Sequence, residues 1–169
     1  MTIKVLADVE FGEELPEFKP DTTLNATSAF AGIVGYSGGG RFEDHEQARA
    51  QGLPGALMPG IMGMGYLSRV IHEWAPTATI KQIDTVFRAP VMADHDHTIT
   101  AVVTDVNEDS GEVILDLAIK NEQDETRVLV LPPYRYPTEV FRIPAYLIVK
   151  ASSKSPGQAL RRSDFSSNL

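Results

Sequence analysis

The residues best suited to chemistry stand where a loop runs into a predicted helix. Residues 52–60 are rich in glycine and proline, and residues 60–74 are largely apolar. Apolar side chains recur there every three or four positions, at Met64, Leu67, Ile71 and Trp74. This spacing predicts a helix with one buried face. The first N–H groups of a helix have no partner within it, so those of Gly60 and Ile61 can donate to an anion or a polarised carbonyl group. The same pattern is also typical of a core helix with a flexible lead-in.

Two glycines inside the predicted helix, Gly63 and Gly65, carry a second signal. Each destabilises a helix by about 1 kcal/mol relative to alanine. A helix that keeps both is expected to be approached closely at these positions, either by another part of the backbone or by a ligand.

Two other clusters are weaker candidates for chemistry. Carboxylates and imidazoles alternate over residues 94–97, and such groups bind divalent cations when alternate strand positions bring them to one face. A solvated turn is the alternative interpretation of this segment, and we expect neither a metal nor a cofactor. Gly38, Gly39 and Gly40 are not followed by the Gly-Lys-Ser/Thr ending of a phosphate-binding loop.

The elements that would position these residues change type halfway along the chain. The first half predicts a helix over residues 24–34 that Thr22 or Thr23 caps, and a short helix that Asp44 caps and that ends at Gly52. The second half predicts antiparallel strands, over residues 79–87, 98–106, 113–119 and 126–131. Helices followed by a strand meander predict an α+β fold in which a helix packs on an antiparallel sheet.

The two ends of the chain are less regular. Residues 3–9 predict a short strand or an extended arm. Residues 1–137 are expected to form one domain, followed by an extension over residues 138–169. Within that extension, residues 141–149 are apolar enough for an extra strand or an arm against a partner, and the Ser-rich residues 151–169 predict a tail.

Composition argues against several classes of function. The chain of 169 residues is long enough to bury the core of one domain, and its net charge of −8 argues against nucleic-acid binding, because phosphate recognition requires clusters of lysine and arginine. Cysteine is absent, which excludes disulfides and thiolate chemistry. The first residues lack the apolar core of a signal peptide, and no apolar run approaches the roughly 18–20 residues that span a bilayer. We therefore expect a cytoplasmic protein that contacts neither nucleic acid nor membrane.

Several blocks, in the right order, resemble the MaoC-like hydratase/dehydratase family over about residues 8–132. The blocks are the opening at residues 11–16, Phe30-Ala31-Gly32, residues 48–55, Pro59-Gly60-Ile61-Met62 and residues 86–91. The resemblance implies a hot-dog fold, in which a long central helix is wrapped by a curved antiparallel sheet. It also implies a homodimer, or a heterodimer with another hot-dog chain. The implied substrates are acyl thioesters on coenzyme A or acyl carrier protein, and the implied reaction is the lyase chemistry of (R)-specific enoyl-CoA hydratases.

The chain departs from this family at the water-activating motif, Asp-x-Asn-Pro-aliphatic-His. Counted from Phe30, the family's Asp falls on Tyr36 and its His on Arg41. Counted back from Gly52, they fall on Ser37 and Phe42. The family's usual His-Gly before the central helix is also changed, to Pro59-Gly60. The usual pair therefore has no counterpart in this chain.

Four nearby residues are candidates for altered chemistry: Asp44, His45, Tyr36 and Arg41. Asp44 and His45 have the right types for acid–base work, Tyr36 can donate a proton or a hydrogen bond, and Arg41 can bind a carboxylate or phosphate through two hydrogen bonds. The alternatives are an N-cap, a solvated helix residue, a packing tyrosine and a surface arginine. Substrate binding is predicted for residues around the start of the central helix and the glycine loop: Pro59, Gly60, Ile61, Met62 and Gly39.

The sequence therefore predicts an acyl-thioester hydratase or dehydratase with altered catalytic residues. One alternative is a non-catalytic hot-dog subunit that binds an acyl chain and pairs with an active partner. A homodimeric binding protein without chemistry is the other alternative.

Overall fold

The structure, a computed structural model, describes residues 6–130 and 148–150 of the chain. The helices are α1 (Leu24–Ile33), α2 (His45–Ala50) and α3 (Gly60–Trp74), preceded by a 3-10 turn at Leu6–Asp8. The strands are β1 (Thr79–Ile80), β2 (Thr85–Phe87), β3 (His97–Asn107), β4 (Glu112–Asn121), β5 (Thr126–Val130) and β6 (Ile148–Lys150). No helix among these residues is long and apolar enough to cross a membrane.

These strands form one antiparallel sheet. β3 and β4 make a long hairpin, in which His97 lies opposite Asn121 and Asn107 lies opposite Glu112. β4 also pairs with β5 at one end and with β6 at the other, while β2 lies beside β5 and β1 beside β6. β6 belongs to the segment predicted as an extra strand or arm, and it pairs within the sheet of its own chain.

The segment before α1 covers the outer edge of β3. The N–H of Leu15 donates to the carbonyl oxygen of Ala101 at 2.9 Å, and the N–H of Ile99 donates to that of Phe18 at 2.7 Å. These bonds occupy edge groups of β3 that would otherwise be free to pair with another chain.

The core lies between the sheet and one face of α3. Alternate residues of β3 and β4 are buried, from Ile99 to Val103 and from Val113 to Ile119. The buried residues of α3 are Met62, Gly63, Leu67, Val70, Ile71 and Trp74. The predicted burial is confirmed for Leu67, Ile71 and Trp74, whereas Met64 is only half-buried, because Met62 and Gly63 face the core at the start of the helix. Burial of these apolar side chains is the main force that holds the helix on the sheet.

The two helix glycines behave differently. A Cβ atom on Gly63 would lie 3.1 Å from Cε of Met58 and 3.3 Å from Cδ1 of Ile119, so the sheet side approaches α3 closely there. A Cβ atom on Gly65 would meet nothing within 4 Å. Within the described residues, the close neighbours of Gly63 are side chains and Gly65 has none, so the predicted approach of another backbone segment is wrong at both positions. Approach by a ligand stays a prediction.

The predicted α+β class is confirmed. α1 is capped by Thr23, whose hydroxyl oxygen accepts the N–H of Ala26 at 3.2 Å, whereas Thr22 donates its hydroxyl to the carbonyl oxygen of His95. The predicted strand over residues 79–87 is two short strands, and the predicted arm is wrong at residues 6–8, where the chain forms a turn. The predicted tail, residues 151–169, and residues 3–5 of the predicted N-terminal arm lie outside the described residues.

Candidate functional site

The start of α3 presents backbone donors without partners. Pro59 caps the helix through its backbone alone, and its carbonyl oxygen accepts the N–H groups of Met62 and Gly63 at 2.9 and 3.2 Å. Within the described residues, the N–H groups of Gly60 and Ile61 have no hydrogen-bond partner. Both residues are exposed, so these two donors are open to a ligand.

A cavity of about 400 Å³ lies at this end of α3. Its walls are mostly apolar, and they include Phe42, Leu57, Met58, Phe87, Pro90, Val91 and Val128. Gly60 and Gly63 bring the helix itself into the wall, and the charged lining residues are Arg41 and Arg88. Among the described residues, no carboxylate and no imidazole lines this cavity. Its size and apolar character are typical of a small-molecule site.

The ring of Phe87 packs directly on the first residue of α3. A Cβ atom on Gly60 would lie 3.0 Å from Cε1 and 3.2 Å from Cζ of Phe87, which is shorter than an ordinary carbon–carbon contact. Because residue 60 is glycine, the ring of Phe87 can lie against the start of α3, and both border the same cavity. Phe87 remains 47% exposed, so its ring has room to move.

Backbone hydrogen bonds fix the segments that form the cavity walls. The N–H of Leu57 donates to the carbonyl oxygen of Arg41 at 2.8 Å, and the N–H of Met58 donates to that of Val91, also at 2.8 Å. The backbone of Arg41 is thereby held against the chain that enters α3 a few residues later.

His45 links α2 to two other parts of the molecule. Its Nδ1 accepts the N–H of Ala56 at 3.1 Å, so the ring proton lies on Nε2, which donates to Oδ2 of Asp94 at 2.9 Å. This bond from His45 lowers the pKa of the Asp94 carboxyl. The other oxygen of Asp94 accepts the N–H of Leu24 at 2.8 Å, which ties the start of α1 to the same point.

Both ring nitrogens of His45 are therefore occupied, and neither His45 nor Asp44 lines the cavity. Asp44 is the N-cap of α2, and its carboxylate accepts the N–H of Gln47 at 2.8 Å, which lowers the pKa of that carboxyl. The alternative of an N-cap is thus what the structure shows for Asp44. The alternative of a solvated helix residue is wrong for His45, because its side chain is 27% exposed and hydrogen-bonded at both nitrogens.

The remaining predicted site residues are dispersed. Tyr36 stacks on Phe42, with ring centroids 5.9 Å apart, and lies outside the cavity lining. Gly39 accepts a hydrogen bond from the side chain of Gln51, and Met62 is buried in the core. Of the four residues predicted to be catalytic, only Arg41 lines the cavity. Their catalytic roles stay predictions.

The acidic and histidine cluster at residues 94–97 forms separate local contacts. His95 lies 3.2 Å from a carboxylate oxygen of Glu122, and Nδ1 of His97 lies 3.0 Å from the carbonyl oxygen of His95. Burial lowers the pKa of His97, which is 4% exposed. Within the described part of the chain, no three residues of the His, Cys, Asp and Glu types are placed to share a metal ion.

A larger cavity, of about 610 Å³, is a weaker candidate site. Much of its wall comes from Thr100, Val102, Asp116, Ala118 and Lys120, which alternate with the core residues of β3 and β4 and so lie on the face of the sheet away from α3. Acidic and basic side chains are mixed there, and no helix start contributes to the wall. Arg88 borders both cavities.

Two residues of the cavity wall, Phe87 and Arg88, and the hydrogen-bond partner of His45, Asp94, were not predicted from the sequence. Phe87 and Arg88 belong to residues 86–91, one of the blocks that carried the family resemblance, and this could have marked them as candidates. Nothing in the spacing of the sequence indicated that Phe87 contacts Gly60. Asp94 was assigned to a solvated turn; its backbone φ of 59°, rare for a residue with a side chain, is a feature that only the structure reveals.

No family model matches the sequence, and no curated protein matches it either. Solved structures do share its fold. A chain of the ChsH1–ChsH2 complex from Mycobacterium tuberculosis is 21% identical, with a TM-score of 0.67 over 85% of this chain and 98% of that one. The R-hydratase PhaJ1 from Pseudomonas aeruginosa is 14% identical, with a TM-score of 0.72 over 89% of this chain and 87% of that one. The (R)-hydratase from A. caviae is 15% identical, with a TM-score of 0.69 over 85% and 98%. The chain therefore has the hot-dog fold found in MaoC-like dehydratases and (R)-hydratases.

Proposed function

We propose that this chain is the acyl-thioester-binding subunit of a hot-dog hydratase or dehydratase, and that another hot-dog chain supplies the residues that activate water. The cavity at the start of α3 binds the acyl thioester. The observation that carries the proposal is the lining of this cavity, which combines the open helix start with apolar walls and contains no carboxylate or imidazole among the described residues.

The open N–H groups of Gly60 and Ile61 suit a thioester carbonyl. Partial positive charge at a helix start favours an oxygen that carries partial negative charge, and more so when that charge grows in an enolate-like transition state. The adjoining apolar wall, with Phe87 and Val128, suits the acyl chain. Gly60 lines the same cavity as these apolar residues, and Ile61 follows it at the start of α3, so both parts of the ligand have a matching surface at one end of the helix.

Hydration also requires a base that takes a proton from water and an acid that protonates carbon. The charged groups of the cavity are guanidinium groups, which carry hydrogen-bond donors but no acceptor and so cannot take a proton from water. The nearest imidazole–carboxylate pair, His45 and Asp94, has its ring nitrogens fully occupied outside the lining. Binding is thus better supported than independent catalysis.

Two observations support a hot-dog partner. One of the similar structures is described as a complex of two differently named chains, ChsH1 and ChsH2. In this chain, β2 ends the order of strands in the sheet, with β5 as its strand neighbour among the described residues. Within residues 6–130 and 148–150, no strand pairs with the other edge of β2. Phe87, the last residue of β2, lies in the cavity wall, so a partner strand paired at that edge would reach the site.

The test uses the purified full-length chain. Calorimetric titration with butyryl-CoA should show saturable binding, tighter than binding of free coenzyme A, because free coenzyme A lacks the acyl thioester. Incubation with crotonyl-CoA should show no loss of the enoyl absorbance above the uncatalysed rate. Equal affinity for butyryl-CoA and free coenzyme A would remove the support for a thioester site. Hydration by the chain alone would instead favour the sequence prediction of a self-sufficient hydratase with altered catalytic residues.

A further inference from the structure

The charged residues that line the α3 cavity are two arginines, and neither has an acidic partner in the part of the chain that the structure describes. Arg41 and Arg88 both line the cavity, and neither forms an ion pair within the described residues. The guanidinium carbon of Arg41 lies 5.8 Å from the centre of the Phe42 ring. Among the described residues, the guanidinium group therefore lies against an aromatic ring and is not paired with a carboxylate.

This lack of partners is unusual for the chain. The other arginines and lysines within residues 6–130, apart from Lys19, pair with carboxylates: Arg49 with Glu46, Arg69 with Glu73, Lys81 with Glu112, Lys120 with Asp124 and Arg127 with Glu125. The chain as a whole carries an excess of acidic residues, with a net charge of −8. Within residues 6–130, two of the three lysines and arginines that form no ion pair there therefore lie at one apolar cavity in an acidic protein.

A neutral acyl chain would be a poor match for this arrangement. Arg41 and Arg88 are exposed residues, and a ligand that fills the cavity removes part of the water around their guanidinium groups. A charge that loses water without gaining a partner is unfavourable. A carboxylate on the ligand would replace the lost water with charge-assisted hydrogen bonds, and a guanidinium can make two such bonds to one carboxylate.

We propose that the acyl group bound in this cavity ends in a carboxylate, so that the ligand is a thioester of a short dicarboxylic acid. This inference rests on the proposed function. Arg41 is the specificity-determining residue, because its backbone is bonded to Leu57 and so lies close to the start of α3, where the thioester carbonyl binds. Arg88, at the border of the cavity, assists it.

The anion could also belong to the carrier, since coenzyme A bears phosphates. The position of Arg41, close to the start of α3, favours a carboxylate on the acyl group over a phosphate of coenzyme A as its partner. The phosphates of coenzyme A are separated from the thioester by the full pantetheine arm, and a cavity of about 400 Å³ cannot enclose the acyl group, that arm and the nucleotide together. An arginine held near the carbonyl site therefore meets a group within the acyl chain.

The test compares glutaryl-CoA with valeryl-CoA, which share the carrier and the number of acyl carbons and differ in a terminal carboxylate or methyl group. Calorimetric titration of the full-length protein should show that glutaryl-CoA binds at least about tenfold more tightly, as expected for a charge-assisted hydrogen bond. Arg41→Gln should remove most of this preference while leaving the affinity for valeryl-CoA unchanged or higher. Arg88→Gln should reduce the preference by a smaller factor.

Lys19→Gln is the matched control, because it removes an unpaired positive charge that does not line the cavity. It should leave the preference unchanged. If Arg41→Gln weakens glutaryl-CoA, valeryl-CoA and free coenzyme A equally, the arginine contacts the carrier phosphates and the proposal is overturned. It is also overturned if the unmodified protein binds valeryl-CoA as tightly as glutaryl-CoA, although a thioester site would then still stand. Failure to bind either thioester would overturn the proposed function itself.

Discussion

The role of the Gly60 N–H can be tested by comparing two variants that both add a Cβ atom, of which only one keeps the N–H. Gly60→Pro deletes the N–H, whereas Gly60→Ala keeps the N–H and adds the same Cβ atom. Proline is suited to the first position of a helix, where its missing N–H has no partner to lose. Pro59 already has a ψ of 133°, the extended conformation that a residue before proline requires.

The expected difference follows from one hydrogen bond. A neutral hydrogen bond to a thioester carbonyl contributes about 0.5–1.5 kcal/mol, so the proline variant should bind butyryl-CoA about 2- to 12-fold more weakly than the alanine variant. The contact with Phe87 is common to both, because either Cβ atom would lie about 3.0 Å from its ring. The Cβ contact therefore cancels from the comparison, and the Cγ and Cδ atoms of the proline ring remain as the additional difference.

Calorimetric titration with butyryl-CoA measures the two affinities, and thermal unfolding confirms that both variants keep the fold. Equal dissociation constants for the two variants would refute the role of the Gly60 N–H. If Gly60→Ala alone abolishes binding through its contact with Phe87, the same pair is compared in a Phe87→Ala background, where the ring is absent.

Three further predictions concern stability. His45→Ala should lower the free energy of unfolding by about 1–3 kcal/mol in urea titrations, because it removes two hydrogen bonds and leaves the N–H of Ala56 unpaired. An unchanged free energy of unfolding would show that His45 does not form these hydrogen bonds in solution. Gly65→Ala should stabilise the protein by about 1 kcal/mol, because its Cβ atom would meet open space. Gly63→Ala should stabilise the protein less or destabilise it, because its Cβ atom would lie 3.1 Å from another side chain. Equal melting temperatures of the two variants would contradict this prediction. Burial lowers the pKa of His97, so the unfolded chain binds the proton more readily, and stability should be lost as the pH falls below the ordinary value of 6.5 toward the lower folded pKa. Urea titrations at about pH 7.5 and 5.5 should show a drop that His97→Gln reduces and that the exposed-site control His72→Gln does not.

Much of the fold is contained in local sequence patterns. The period of the apolar residues in α3 and the alternation in β3 and β4 each report burial of one face, which is a property of a few neighbouring positions. The turns at Gly52 and Gly111 lie where their positive φ angles favour glycine. These signals were sufficient to predict the helices, the hairpin and the α+β class.

The site was predicted less completely than the fold. The sequence indicated the open start of α3 because unpaired N–H groups follow from helix geometry alone. The sequence also indicated Asp44, His45, Tyr36 and Arg41 as candidates by residue type, but the type of a residue does not determine which way its side chain points in the fold. Asp44 caps a helix, His45 bonds to Ala56 and Asp94, and Tyr36 stacks on Phe42, while Arg41 alone lines the cavity.

What the sequence determined by itself was therefore the set of elements and the chemical character of one helix start, since both depend on contacts within a few residues. The tertiary structure alone decided which distant residues meet. The pairing of His45 with Asp94 joins positions 49 residues apart, and the packing of Phe87 on Gly60 depends on how β2 lies against α3. Such contacts arise from the packing of whole elements, and no local spacing in the chain encodes them.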